Sequence, residues 1–143
     1  MSAEILLVED NPSDVSLVHE AFRVINGSAR INVASDGEEA VAYLRREGTY
    51  GDAPRPDIIL LDLNMPKMNG HQVLAHIKDD EGLKLIPTIM LTTSNTEKDI
   101  LTSYRLHANC YFVKPVQWEE FVDVIKSIND FWLNAVRLPT RRT

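Results

Sequence analysis

Five polar or charged side chains follow directly on apolar, strand-like runs in this sequence, and together they suit phosphoryl chemistry. Ile5-Leu6-Leu7-Val8 runs into Glu9-Asp10, and Ile58-Ile59-Leu60-Leu61 into Asp62. Ile89-Met90-Leu91 runs into Thr92, and Tyr111-Phe112-Val113 into Lys114-Pro115. In an open parallel sheet, ligands sit beyond the carboxyl ends of the strands, so these groups should converge at one edge. Three carboxylates gathered there repel one another unless a cation neutralises them or their pKa values rise. An all-oxygen ligand set favours a hard ion such as Mg²⁺, which keeps several waters and takes carboxylates beside phosphate oxygens. Asp62 is then placed to attack phosphorus as a carboxylate nucleophile, giving an acyl phosphate. Asp10 and Asp62 would hold the ion, with Glu9 acting through water, and Lys114 would bind a phosphoryl oxygen. The added charge would draw the hydroxyl of Thr92 toward it. That vacates space for the ring of Tyr111 to turn inward, which makes a two-state switch.

Taken singly, each group has a plainer role. An Asp or an acidic pair at a strand end often serves a turn or caps the next helix. A threonine fits a strand because it is β-branched, and a lone lysine is ordinary surface. Only the joint pattern makes a site. Pro115 restricts Lys114 to extended geometry and also allows a cis bond there, which would aim the ammonium.

The elements that must position these groups alternate strand with helix, the signature of α/β architecture with a parallel sheet. Strands are expected at about 4–8, 31–34, 58–61, after Pro87, and at 111–113. Asn11-Pro12-Ser13-Asp14 starts a helix with a cap, a proline at the first position and an acid for the dipole; Asn26-Gly27 ends it. Its stripe is Val15, Val18, Phe22 and Ile25. Asp36-Gly37 opens a second helix to about Arg46, and Val73, Leu74 and Ile77 mark a third. A fourth is expected over 97–106 and a last one from about Trp118 to Val136. Between Glu47 and Pro56, two glycines and two prolines predict a loop with neither helix nor ladder.

The chain has 143 residues, enough for one domain with a real core and too few for two ordinary ones. A net charge of −6 argues against nonspecific nucleic-acid binding. Arg137, Arg141 and Arg142 make the end locally basic, which reads as a solubilising tail. Cys110 is the single cysteine, so an intramolecular disulfide is excluded, and it is expected in the core just before the last strand. No secretory leader is evident, and the longest apolar runs, about five residues, fall far short of the roughly 20 that span a bilayer. A cytoplasmic protein is expected. His19, His71, His76 and His107 lack metal-ligand spacing and are expected at the surface or at helix boundaries.

These motifs carry a family resemblance. Glu9-Asp10, Asp62 at the head of Asp-Leu-Asn-Met-Pro-Lys-Met-Asn-Gly, Thr92 in Leu-Thr-Thr-Ser, and Tyr111-Phe-Val-Lys-Pro are together highly specific. Over roughly residues 3–130 the sequence resembles the receiver domain of bacterial two-component response regulators. The resemblance implies a flavodoxin-like (CheY-like) doubly wound fold, its five-stranded parallel sheet in the order 2-1-3-4-5. It implies Asp62 as phosphoacceptor, Asp10 as metal ligand and the main-chain carbonyl of Asn64 as a further ligand. Thr92 and Tyr111 become the switch pair, and Lys114 the phosphate-pairing lysine. The ion would be Mg²⁺, with Mn²⁺ as an alternative, and the phosphoryl donor a sensor histidine kinase. Gly70 falls where the family keeps a loop glycine. Thr93 departs from the very small residue usual after the switch threonine, and a larger side chain there would slow access to Asp62.

Residues 1–136 are expected to form the single receiver domain with an extended last helix, and 137–143 a tail. No output domain is expected, and output is expected through a partner. Phe121, Ile125, Ile128 and Trp132 make a helical stripe for the sheet, while Phe131, Ala135 and Leu138 add a second face. A homodimer through the last strand and helix is expected, with Phe131, Trp132 and Leu138 at its interface. This ending and the longer loop at 47–56 look like those of the stand-alone response regulators paired with bacterial and cyanobacterial phytochromes, which are light-regulated histidine kinases. Two other classes share part of this residue set. A Mg²⁺-dependent phosphatase of the haloacid-dehalogenase type would carry its nucleophile in the first strand and a second Asp two positions on. Here the acidic pair comes first, and position 64 is Asn. A binding-only pseudo-receiver would lack the acceptor or the acids, and all are present.

Overall fold

The computed structural model describes residues 2–139. Strands β1 (Glu4–Val8), β2 (Arg30–Ala34), β3 (Ile58–Leu61), β4 (Thr88–Thr92) and β5 (Cys110–Val113) form one sheet in the order β2-β1-β3-β4-β5. Every pairing is parallel. Helices α1 (Pro12–Val24), α2 (Gly37–Leu44), α3 (Gly70–Asp79), α4 (Glu97–Arg105) and α5 (Trp118–Ile128) alternate with the strands. The expected fold class and strand order are those observed.

Period-two alternation divides the core. Leu6, Val8, Ile59, Leu61 and Met90 point to the face that also holds Val73, Leu74 and Ile77 of α3 and Ala40 and Leu44 of α2. Ile5, Leu7, Ile58, Leu60, Ile89 and Leu91 point to the other, where Val18 and Phe22 of α1 meet Phe121, Ile125 and Ile128 of α5. The central strand β3 is buried along its whole length, as a strand covered on both faces must be.

The helix starts follow the chemistry of their caps. Asn11 Oδ1 accepts from the amides of Ser13 and Asp14. Asp36 caps α2 through the Glu39 amide, Thr96 caps α4 through the Asp99 amide, and Asn69 and Gln72 form a reciprocal capping box on α3. Asn26, at φ 58°, takes the left-handed turn after α1.

Three expectations need correction. Residues Gly48–Tyr50 form a 3₁₀ turn rather than irregular loop. Tyr50 anchors it, with its ring 5.3 Å from that of Tyr43 and its hydroxyl donating to Glu39 at 2.5 Å. Glycine and proline content gave no sign of that tertiary anchor. The last helix does not run as one α-helix to Val136: after Ile128 the chain continues as a π-helix over Asn129–Ala135. Trp132 packs on the α1/α5 side of the core and Phe131 is 53% exposed, as the two expected faces require, but Leu133 and Leu138, the latter expected on the outer face, pack on that core as well. Cys110 lies within β5 and is only half-buried, because β5 is an edge strand. The expected basic positions Arg141 and Arg142 lie outside the described residues.

Candidate functional site

The carboxyl ends of β1, β3, β4 and β5 bring the expected residues to one edge. Glu9 and Asp10 leave β1, and the Glu9 amide donates to Ala34 O, holding the chain end in the ladder. Asp62 follows β3 and is held twice: its amide donates to Val8 O at 3.1 Å, and its Oδ1 accepts from the Leu63 amide at 2.8 Å. Ligand oxygens of Glu9, Asp10 and Asp62 lie within 4.8 Å of one another. Glu9 and Asp62 are buried and Asp10 is exposed, so the group opens to solvent on one side. An all-oxygen set of this kind fits a hard divalent ion with water completing its shell.

Lys114 is placed by main-chain bonding: its amide donates to Thr92 O at 2.7 Å, carrying the β4–β5 ladder one step further. Its side chain is 8% exposed and its ammonium reaches three carboxylates: Glu9 at 2.5 Å, Asp14 at 3.2 Å and Asp62 at 3.9 Å. The sequence offered Asp14 only as a dipole partner for α1. Helix α1 begins at the same sheet edge, so a residue in its first turn also faces the pocket. Among the described residues no peptide bond is cis, so the bond before Pro115 is trans and the ladder does the aiming.

Burial sets the charge balance. It pushes the Glu9 carboxyl up to about 7, against the opposing hydrogen bond from Lys114, and the Asp62 charge pushes it further the same way. Burial alone would pull the Lys114 ammonium down. Glu9, Asp62 and Asp14 together outweigh it and hold the group above its ordinary value, so Lys114 stays charged.

Thr92 and Tyr111, the expected switch pair, lie beside this pocket. Thr92 is fully buried at the end of β4. The ring of Tyr111 packs against the α2/α3 side of the core, and its hydroxyl donates to Ser94 O at 2.8 Å. This is the inward arrangement that the sequence assigned to a phosphorylated state. Burial raises the Tyr111 phenol, so the hydroxyl remains a donor. Thr93 is exposed and lines a hollow of about 230 Å³ with Asp14, Leu17, Lys114, Val116 and Trp118.

Loop β3–α3, which carries Asn64, is fixed by close backbone approach. A Cβ on Gly37 would meet Met68 O at 2.1 Å, and one on Gly70 would meet Asp62 O at 2.2 Å. Asp36 and Lys67 add an ion pair at 3.6 Å across the same contact.

One histidine stands at a helix boundary, as expected, and also bridges two helices. His71 is not a bystander: its Nε2 lies 2.9 Å from the fully buried Ser103 Oγ, linking α3 to α4. No motif marks such a pair, since the partners are far apart in sequence and meet only when the helices pack.

Comparison with known proteins agrees with this geometry. Residues 5–126 match the model of the response regulator receiver domain. The response regulator Rcp1 of Synechocystis is 44% identical over 135 residues, covering 94% of this chain and 92% of that one. The crystal structure of the phosphorylated cyanobacterial phytochrome response regulator RcpA superposes with a TM-score of 0.93 at 46% identity, covering 98% of this chain and 100% of that chain. The Mn²⁺-bound form of Rcp1 gives a TM-score of 0.90 at 43% identity, covering 96% and 99%. With its acidic cluster at the carboxyl edge of a 2-1-3-4-5 sheet, the chain belongs to the response regulator receiver-domain family.

Proposed function

We propose that this response regulator accepts a phosphoryl group on Asp62 and passes the signal through the Thr92–Tyr111 switch. The observation that carries this is the convergence of three carboxylates within 4.8 Å, with the Lys114 ammonium 3.9 Å from Asp62. The Leu63 amide orients the Asp62 carboxylate through Oδ1, leaving Oδ2 on the side of Lys114. A carboxylate oxygen forms the O–P bond as the bond from phosphorus to the donor breaks, and the leaving group takes the electron pair. Lys114 holds a phosphoryl oxygen. Glu9, Asp10, Asp62 and the Asn64 carbonyl are the proposed ligands of Mg²⁺, with Mn²⁺ as the alternative; when bound, the ion neutralises charge on the transferring group. The protein acts as a signalling phosphoacceptor, with at most slow self-catalysed uptake from small donors and slow hydrolysis.

The test is intact mass after incubation with acetyl phosphate. The expected result is one added phosphoryl group with Mg²⁺ and none in the presence of a chelator. An unchanged mass under both conditions would favour a binding-only pseudo-receiver instead.

The proposed donor is a phytochrome-type histidine kinase. Support comes from RcpA, itself described as a phytochrome response regulator, and from a red-light signalling response regulator of R. palustris that is 36% identical. Among the described residues no helix is long and apolar enough to cross a membrane, in keeping with a proposed cytoplasmic site of action. The proposed organisation is one receiver domain over 1–136 with a tail at 137–143, acting on a downstream protein rather than on nucleic acid.

The proposed homodimer uses β5, α5 and the segment after it. Phe131 is the sharpest probe, because Trp132 and Leu138 pack partly on their own core and Phe131 stands out beside Trp132, ring centroids 5.2 Å apart. Phe131→Ala is expected to weaken dimerisation about tenfold or more, as loss of a buried aromatic anchor does, with little loss of monomer stability. Light scattering across a concentration series decides it. A wild-type monomer at high micromolar concentration would end the proposal.

A further inference from the structure

We propose that Asp99, in the first turn of α4, is a positioning residue for the switch: through Ser94 it holds the β4–α4 loop in the arrangement that keeps Tyr111 inward. The inference rests on the phosphoacceptor reading above. Ser94 is the junction. Its hydroxyl donates to Asp99 Oδ2 at 2.6 Å, its carbonyl accepts from the Tyr111 hydroxyl at 2.8 Å, and its amide lies 3.4 Å from Thr92 Oγ1. One residue therefore touches both members of the switch pair and the helix beyond them. The bond from Ser94 ends on a carboxylate, which makes it charge-assisted, and that bond holds the Asp99 carboxyl below its usual range.

Asp99 is itself held firmly. Its amide donates to Thr96 Oγ1 at 3.2 Å in the cap of α4, and its carbonyl accepts from the buried Ser103 hydroxyl at 2.8 Å, the same hydroxyl that meets His71 of α3. The Asp99 main chain is thus anchored from both sides, and its carboxylate, carried on that backbone, is the point against which the loop is set. Removing it leaves the main-chain carbonyl of Ser94 free to drift, and Tyr111 loses the acceptor that fixes its hydroxyl. A site that favours phosphoryl with Tyr111 inward must bind a phosphoryl mimic more weakly once that arrangement costs more.

The test uses the full chain and beryllium trifluoride with Mg²⁺ as the phosphoryl mimic. Asp99→Ala is expected to weaken its binding about three- to tenfold, the effect of one hydrogen bond on a binding constant. Asp99→Asn loses the same charge from the start of α4 but keeps an acceptor for Ser94, and should recover most of the affinity. Affinity for Mg²⁺ alone should be the same in all three proteins. A second arm does not depend on Asp62: with fluorotyrosine incorporated, the ¹⁹F resonance of Tyr111 should shift or split in Asp99→Ala and return in Asp99→Asn. If both variants weaken the mimic equally and neither moves the Tyr111 resonance, Asp99 serves only the helix and the proposal fails. If wild type binds no mimic, the phosphoacceptor reading fails, and the ¹⁹F arm still decides whether Asp99 positions Tyr111.

Discussion

Asp62→Asn is expected to abolish the phosphoryl adduct and, in the absence of divalent ion, to make the protein more stable. Loss of the adduct follows from the chemistry, because an amide oxygen does not form the acyl phosphate. The gain in stability follows from the charges. Asp62 carries a carboxylate within 4.8 Å of those of Glu9 and Asp10, and it is the most distant of the three partners of Lys114, at 3.9 Å. Two repulsions are removed and one weak attraction is lost. Asn keeps the acceptor that the Leu63 amide needs, so the loop geometry survives. At the effective dielectric of a half-open site each pair near 4 Å is worth up to about 4 kcal/mol; the exposure of Asp10 and the proton partly held by Glu9 cut the net gain to about 1–2 kcal/mol. For a chain of this size that is about 3–6 °C in Tm. Mg²⁺ should then reverse the order, stabilising wild type more than the variant, because the variant has lost a ligand. Thermal melts with Mg²⁺ and with a chelator, beside intact mass, read both halves. A variant that still takes phosphate, or one less stable than wild type without metal ion, would contradict the assignment.

Gly70→Ala should cost about 3 kcal/mol or more, a large effect for one methyl group. The added carbon would lie 2.2 Å from Asp62 O and 2.8 Å from Leu63 Cα. Both are backbone atoms, so no rotamer change relieves the clash. The loop must move, and with it the hydrogen bond from the Gly70 amide to Leu63 O at 2.8 Å. Asp62 stands at the start of that loop, so displacement should also slow phosphorylation by about tenfold or more, as misplacement of a reacting group does. Urea unfolding measures the first effect and the time course of adduct formation the second. A stability within about 0.5 kcal/mol of wild type would show that the loop yields easily, and would remove this account of why a glycine stands there.

Much of this protein was legible in its residues. The four apolar runs ending in Glu9-Asp10, Asp62, Thr92 and Lys114 told of a parallel sheet with a polar edge, because burial on both faces demands continuous apolar runs and burying a charge demands a partner. Asn11 and Asp36 announced helix starts through short-range capping chemistry, which depends on neighbours a few residues apart. Both signals are local or strictly periodic, and so a linear sequence carries them.

The tertiary structure decided what depends on distant segments meeting. Asp14 joins the Lys114 cluster from 100 positions away, His71 meets Ser103 across 32, and the Tyr111 hydroxyl finds the Ser94 carbonyl across 17. The 3₁₀ turn at Gly48–Tyr50 is anchored by Tyr43 and Glu39 in the preceding helix, and Leu138, expected on the outer face, packs on the α1/α5 side of the core. A side chain's partner in such contacts is set by helix packing and by register between elements, at distances of a few ångströms. Residue type constrains which bonds are available; only the packed arrangement selects among them.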